Sequence, residues 1–310
     1  MKIIHDADDF NDSALVATIG MFDGVHLGHR VLLEALTSAA KKTGFRSAVV
    51  TFKEHPQLVL NHKSDLKMIL SLEKRLKYLE EMGVDYVILL NFSLSLAVLD
   101  SYEFMRLLRN KYCIKSLVVG YNHSFGHNTK ASFKEYYNNG VTLGVEVIKA
   151  PEYNGPHCPV SSSVIRKLLL TGKVDDAMNC LGRPFSLSGN VGHGQKNGRE
   201  IGFPTANVEN IDSSIIIPHR GAYAVKITLE DGSRYDGMAN IGIRPTIEKA
   251  GEQTIEVHIF DFDKDIYGQK IEIEFIRFLR TELRMDSLEE LKIQLIEDKE
   301  LSRNILSKIN

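Results

Sequence analysis

Tryptophan is absent from the 310 residues, and cysteine is scarce: Cys113, Cys158 and Cys180 lie far apart, with no C-x-x-C pair. Neither a disulfide framework nor a zinc-finger spacing is available, so reduced thiols in a reducing compartment are expected. An excess of one charge is missing too. Lys and Arg number 38 against 40 Asp and Glu, a formal charge of -2, which excludes the broad basic field that holds nucleic acid or anionic lipid. No apolar run approaches the roughly 18 residues of a membrane span. Residues 1–10 do not join a basic patch to an apolar stretch, so no targeting leader is expected. G-x-x-x-x-G-K-[ST] occurs nowhere, and no G-x-G-x-x-G follows the first expected strand. P-loop and dinucleotide-oxidoreductase readings lose their main support.

What is present reads as a folded chain of two domains. A composition of 43% hydrophobic and 25% charged residues supports a buried core, and the length exceeds the roughly 250 residues over which one core keeps growing. The first half alternates strands at 14–20, 47–52, 86–92, 117–121 and 145–150 with helices at 30–42, 72–82, 101–112 (capped by Ser101) and 163–171. Residues 86–90, Y-V-I-L-L, are apolar on both faces, as buried parallel strands are. This predicts a doubly wound α/β sheet, whose ligands bind beyond the carboxyl ends of its strands.

From 185 to 275 strands follow one another without helices, at 222–229, 235–241, 254–260 and 270–275, with Asp231-Gly232 as a hairpin turn. Residues 270–275, K-I-E-I-E-F, alternate strictly, which predicts a small antiparallel barrel or sandwich. A helix over 287–308 closes the chain, with Leu288, Leu291, Leu295, Leu301 and Ile305 near one face and its Glu and Asp residues solvated. The boundary is expected near 181–184, L-G-R-P, dividing 1–182 from 183–310.

Residues 20–29, G-M-F-D-G-V-H-L-G-H, lie between the first strand and the first helix. His26 and His29, spaced around Gly28, meet at a helix N-terminus, where unpaired N–H groups and the helix dipole favour an anion. They form a phosphate site with donors attached, or serve as ordinary loop and cap histidines. The string resembles the H-x-G-H signature of the nucleotidyltransferase superfamily, and its fuller form is similar to the flavin branch. Residues 161–166, S-S-S-V-I-R, resemble the second signature, S-S-T-x-I-R. Ser163 keeps the hydroxyl of the usual Thr, and Arg166 supplies a delocalised cation for phosphate.

Residues 189–207, G-N-V-G-H-G-Q-K-N-G-R-E-I-G-F-P-T-A-N, resemble the riboflavin kinase signature. Gly192, Gly194 and Gly198 let the backbone approach phosphate, and the Thr205 hydroxyl and Asn207 amide oxygen are hard ligands suited to magnesium. Residues 240–246, N-I-G-I-R-P-T, and 254–268, T-I-E-V-H-I-F-D-F-D-K-D-I-Y-G, continue the match in order and spacing. Taken together, nearly the whole chain resembles the bacterial bifunctional riboflavin kinase and FMN adenylyltransferase family.

That resemblance implies an N-terminal Rossmann-like nucleotidyltransferase domain and a C-terminal antiparallel Greek-key β-barrel with a terminal helix. It implies a cytoplasmic, Mg2+-dependent enzyme that makes FMN and then FAD from riboflavin and ATP. Its partners are small molecules, with no nucleic acid or membrane among them; oligomeric state is left open. Glu256 takes the role of general base for the ribityl 5'-hydroxyl, which attacks the γ-phosphate of MgATP. In the N-terminal half the FMN phosphate attacks the α-phosphorus of a second ATP and expels pyrophosphate. His26, His29, Arg166 and Ser162 or Ser163 are the implied donors, with Gly20, Phe22, Asp23 and Gly28 shaping the ATP site. Asp23 either caps the turn or touches nucleotide or metal.

Residues 51–56, T-F-K-E-H-P, resemble the family's T-F-x-P-H-P, with Glu54 in a proline position. His55 and Pro56 line the flavin pocket or form an ordinary strand-end turn. Residues 120–126, G-Y-N-H-S-F-G, are similar to G-x-D-F-x-F-G, which brings Asn122 and Phe125 to the flavin. Here Asn122 replaces Asp, and 127–132 lacks the usual Arg and Gly, with Thr129 offering no cation. Adenylyl transfer is therefore expected to be the slower half-reaction. His123 and His127 sit in a glycine-bracketed loop rather than on a helix, which argues against zinc. An H-x-G-H transferase for another cofactor precursor and a flavin-binding regulator are the rival readings. The kinase-like half opposes the first; Glu256, Thr205 and Asn207 oppose the second.

Overall fold

The computed structural model describes residues 1–309 apart from 7, 9, 11–12, 61–64, 122–124, 127–131, 157–158, 193–201, 245–251, 284 and 286. Its contacts separate two units, Met1–Ser161 and Ser162–Asn310. In chain order the first holds β1 (Lys2–His5), β2 (Leu15–Ile19), α1 (Leu27–Thr43), β3 (Arg46–Phe52), α2 (Pro56–Leu60) and α3 (Leu72–Glu81). Next come β4 (Tyr86–Leu90), α4 (Leu94–Ala97), α5 (Ser101–Tyr112), β5 (Ile114–Val119), α6 (Phe133–Leu143) and β6 (Glu146–Lys149).

Runs buried on both faces build the centre of the first sheet. Every residue of β2 and β4 is buried, and the strands pair in parallel in the order β1-β4-β3-β2-β5-β6. The chain moves outward from β2 through β3 and β4, then returns to the other side of β2 for β5 and β6. The carboxyl end of β2 is therefore the topological switch point, where open α/β sheets bind ligands. Asp100, not Ser101, caps α5: it accepts the Glu103 N–H at 2.8 Å while the Glu103 carboxylate accepts the Asp100 N–H, a capping box. In α6, a Cβ at Gly140 would fall 2.5 Å from the Val145 carbonyl, so close helix–strand packing requires a residue that weakens the helical pattern.

The second unit holds α7 (Ser162–Leu170), α8 (Val174–Leu181), β7 (Phe185–Gly192), β8 (Ala206–Glu209), β9 (Gly221–Leu229), β10 (Arg234–Arg244), β11 (Glu252–Ile259), β12 (Lys270–Arg280) and α9 (Leu288–Leu306). Its strands close into an antiparallel barrel, β10-β11-β8-β7-β12-β9. The run β12-β9-β10-β11 is a Greek key: three consecutive strands with the fourth returning beside the first. Phe185, Leu187, Tyr223, Val225, Ile273 and Phe275 are essentially unexposed. A register shift between Phe275 and Arg277 places Ile276 in a second cluster with Phe203, Met238, Phe260 and Leu306, onto which Leu295 and Ile305 of α9 pack.

The expected face of α9 is only partly realised. Leu301 is 47% exposed, and Asp298, expected in water, is 4% exposed and ion-paired with Arg280 at 2.7 Å. The unit begins before residue 183 because Val174, Ala177 and Leu181 of α8 are buried and the helix packs on β12 and β7. Asp175 also pairs with Arg277 at 3.0 Å.

Candidate active sites

The residues between β2 and α1 turn back sharply. Gly24 has φ 88°, Phe22 φ 51° and Val25 φ 37°. Left-handed backbone costs a bulky or β-branched residue roughly 1–3 kcal/mol and persists only where packing over-determines it. Phe22, Asp23 and Val25 are each 1% exposed. The Asp23 carboxylate accepts the amide N–H groups of Ile69 at 2.9 Å and Leu70 at 3.1 Å, which pins the approach to α3 against the turn.

The turn delivers His26 to the N-cap of α1, where its Nδ1 accepts the His29 backbone N–H at 3.2 Å. A ring nitrogen accepting an amide bond carries no proton, so the neutral ring keeps its hydrogen on Nε2 as a donor. The two imidazoles stack with centroids 3.6 Å apart and planes 14° apart, and Phe22 lies 5.0 Å from His29. Gly28 makes the stack possible, since a Cβ there would meet His26 Nδ1 and Cε1 at 3.3 Å. A Cβ at Gly20 would likewise meet the Phe22 ring at 3.0 Å. Two imidazoles at the N-terminus of a 17-residue helix have the chemistry an anion site requires.

The other expected residues are placed as follows. After β3, His55 Nδ1 accepts the Gln57 N–H at 3.2 Å, and Pro56 opens α2, the helical position proline suits best. Phe125 is 7% exposed and stacks on Tyr136 at 4.3 Å, its N–H donating to the Tyr136 hydroxyl at 2.9 Å. Its ring belongs to the core of the first unit. Ser162, Ser163 and Arg166 lie in the first turns of α7, in the second unit, with Arg166 half-buried. Asn122, His123, His127, Thr129, Gly194 and Gly198 lie outside the described residues.

Arg75 is not singled out by the sequence. Its guanidinium, 1% exposed, donates to the Met21 carbonyl at 2.9 Å and the Phe52 carbonyl at 2.7 Å, tying together the loops after β2 and β3. Burial lowers its pKa to about 10, and the Asp23 carboxylate opposes that shift. The available signal is its place on the stripe Leu72, Arg75, Leu79 of α3. Arg75→Met takes the guanidinium donor from two carbonyls, leaving Met21 only the longer bond from the Thr51 hydroxyl at 3.4 Å, and removes the cation near Asp23, an expected loss of about 3–5 kcal/mol. Calorimetry should show the first unit melting on the order of 10 °C lower. An unchanged melting temperature would remove Arg75 from this role.

In the barrel, register pairing sets Gly192 opposite Asn207, Asn207 opposite Glu256 and Glu256 opposite Asn240. Directly paired residues share a face, so the row crosses four strands on one side of the sheet. Asn207 is buried, Glu256 half-buried and Thr205 exposed, with Thr205 Oγ1 3.5 Å from Glu256 Oε2. Thr205 borders two cavities. One, of about 410 Å³, is lined by Val191, Phe262, Asp263, Lys264 and Tyr267. The other, of about 250 Å³, is lined by Glu256, Asn240 and His258 and by Met238, Leu291 and Leu295. Arg280 holds Asp298 through both carboxylate oxygens at 2.7–3.1 Å, and Gln294 donates to it at 3.1 Å, fastening α9 over this second cavity. A carboxylate facing one compartment beside a hydroxyl at the junction suits transfer of a group from one bound molecule to another.

Two family models match the chain: one described as FAD synthetase over residues 9–164 and one described as riboflavin kinase over residues 181–306. The bifunctional riboflavin kinase/FMN adenylyltransferase of Listeria monocytogenes is 32% identical over 305 residues, covering 97% of this chain and 96% of its own length. Its counterpart from Escherichia coli K12 is 35% identical over 302 residues, covering 97% and 95%. A crystal structure described as a macrolide-efflux protein from Streptococcus pneumoniae matches with a TM-score of 0.90 and 32% identity, covering 98% of this chain and 99% of that one. Among the described residues of this chain, no helix is long and apolar enough to cross a membrane.

Proposed function

The chain belongs to the bifunctional riboflavin kinase/FMN adenylyltransferase family, phosphorylating riboflavin in its C-terminal half and adenylylating FMN to FAD in its N-terminal half, and on that premise we propose how its residues divide the chemistry. In the kinase half, Glu256 accepts the proton of the ribityl 5'-hydroxyl as that oxygen attacks the γ-phosphorus of ATP and ADP departs. The apolar cavity beneath α9 takes the flavin ring, and the cavity on the far side of Thr205 takes the nucleotide. The position of Thr205 between the two cavities, 3.5 Å from Glu256, carries this reading.

Thr205 Oγ1 and the Asn207 amide oxygen would hold magnesium. Both are hard oxygen donors, and a set this sparse suits an ion that arrives on the phosphates of ATP. An ion held there would neutralise charge on the transferring phosphoryl group. Gly192 ends β7 opposite Asn207, and with Gly194 and Gly198 it is assigned to those phosphates.

In the N-terminal half the nucleophile is the FMN phosphate, already an anion, so no protein base is required. His26, His29 and the N-terminus of α1 donate to the phosphate charge, and the S-S-S-V-I-R motif assigns Arg166 and Ser162 or Ser163 to the same reaction. Gly20, Phe22 and Gly28 shape this anion site, while Asp23 and Arg75 brace it from behind. His55, Pro56 and Asn122 are assigned to the flavin together with Phe125, whose ring is buried on Tyr136. Cytoplasmic residence fits an enzyme that consumes riboflavin and ATP.

The functional boundary falls at 182/183, so a fragment beginning at Arg183 keeps all six barrel strands and α9. It should phosphorylate riboflavin and make no FAD. A fragment beginning at Ser162 should do the same and melt at a higher temperature, because α8 still covers β12 and β7. Each large apolar side chain uncovered costs about 1.5–3 kcal/mol. A longer fragment that melts cooperatively yet lacks kinase activity would contradict the division.

A further inference from the structure

We infer that His258 is a positioning residue for phosphoryl transfer: by donating from Nδ1 to the Pro204 carbonyl it holds Thr205 at the junction of the two kinase cavities. The inference rests on Thr205 contacting the phosphate or its magnesium.

Thr205 is poorly constrained by the sheet. Residues 203–205 carry no regular structure, β8 starts only at Ala206, and Pro204 has no N–H to offer a ladder. On the C-terminal side, Ala206 pairs with Val257. On the N-terminal side, the Pro204 carbonyl lies 2.8 Å from His258 Nδ1. Strand β11 thus brackets Thr205 through two successive residues, Val257 and His258, while presenting Glu256 beside it. A carbonyl only accepts, so Nδ1 carries the hydrogen and the tautomer is fixed.

The rest of the ring argues against a packing role. His258 is 6% exposed, 5.2 Å from the Phe203 ring and 5.7 Å from the Phe260 ring. Its Nε2 is buried with no hydrogen-bond partner among the described residues. Burial lowers the imidazole pKa, opposed by the Pro204 bond. A phenylalanine would fill the same space without burying an unpaired nitrogen, so packing alone disfavours histidine here. Pro204 is exposed, and water can replace the lost donor on its carbonyl.

Stability and activity should therefore move in opposite directions in two variants of the full chain. His258→Phe should melt no lower than the parent yet lose roughly tenfold or more in riboflavin kinase kcat, since misplacing a reacting group by about 1 Å costs up to about a hundredfold. His258→Asn places an amide N–H near the position of Nδ1. It should recover most of the kinase rate while melting lower, because a smaller side chain leaves a void. FAD formation from supplied FMN serves as the internal control in both. A His258→Phe variant as fast as the parent, or a His258→Asn variant as slow as His258→Phe, would overturn the inference. Thr205→Val separates the two levels. Slow Thr205→Val with fast His258→Phe overturns only the positioning role, whereas fast Thr205→Val overturns the reading of Thr205 and the inference with it.

Discussion

Alanine at position 29 is expected to stop the pathway at FMN. The His29 ring stacks on His26 at the α1 N-terminus, the place proposed above for the negative charge that builds up as FMN attacks ATP. Removing a donor that acts mainly in the transition state lowers turnover by roughly 10²- to 10³-fold. The substitution isolates the ring, because the bond that caps α1 runs from the backbone N–H of residue 29 to His26 Nδ1 and survives. Kinase activity, which belongs to the barrel, should stay near that of the parent, so riboflavin is consumed at the usual rate and FMN accumulates. Equal loss of both activities, with a lowered melting temperature, would indicate general disruption and not a lost donor. An unchanged rate of FAD formation would remove His29 from the adenylyl-transfer site.

Glu256→Gln should give the mirror image. Glutamine preserves size, and the backbone pairing of residue 256 with Asn207 and Asn240 is untouched. It cannot accept the ribityl proton, and losing general-base help costs about 10²- to 10⁴-fold. Riboflavin should persist, while FMN supplied directly still becomes FAD. Chromatographic separation of the flavins reads both halves in one experiment, and undiminished FMN formation from riboflavin would exclude Glu256 as the base.

Elements with a strong one-dimensional pattern are legible in the amino-acid sequence itself. The apolar runs at β2, interrupted only by Thr18, and at β4, the strict alternation of β12 and the Asp231-Gly232 turn each declare their surroundings locally. The helix α6 is not legible in this way, because Gly140 is present for contact with β6 and weakens the local signal. The cap of α5 lies one residue before the expected Ser101, since Asp100 and Ser101 are both good caps and only the reciprocal bond with Glu103 decides between them. In α9, Leu301 and Asp298 reverse their expected environments, because Arg280 at the end of β12 draws the carboxylate inward.

The candidate sites divide in the same way. H-x-G-H, P-T-A-N and Glu256 are legible because each belongs to a compact string. Arg75 and His258 are not, because their roles are to hold the carbonyls of Met21, Phe52 and Pro204, contacts across 54, 23 and 54 positions of chain. Backbone acceptors carry no side-chain signature, so only the fold shows which donor reaches them.

The central claim, that one polypeptide performs both steps, is tested most directly by a time course of the full chain with riboflavin, ATP and magnesium, with all flavins separated at each point. FMN should appear first and rise ahead of FAD, which then grows at its expense without any other protein present. FMN that is never converted, or riboflavin that is never consumed, would contradict the account.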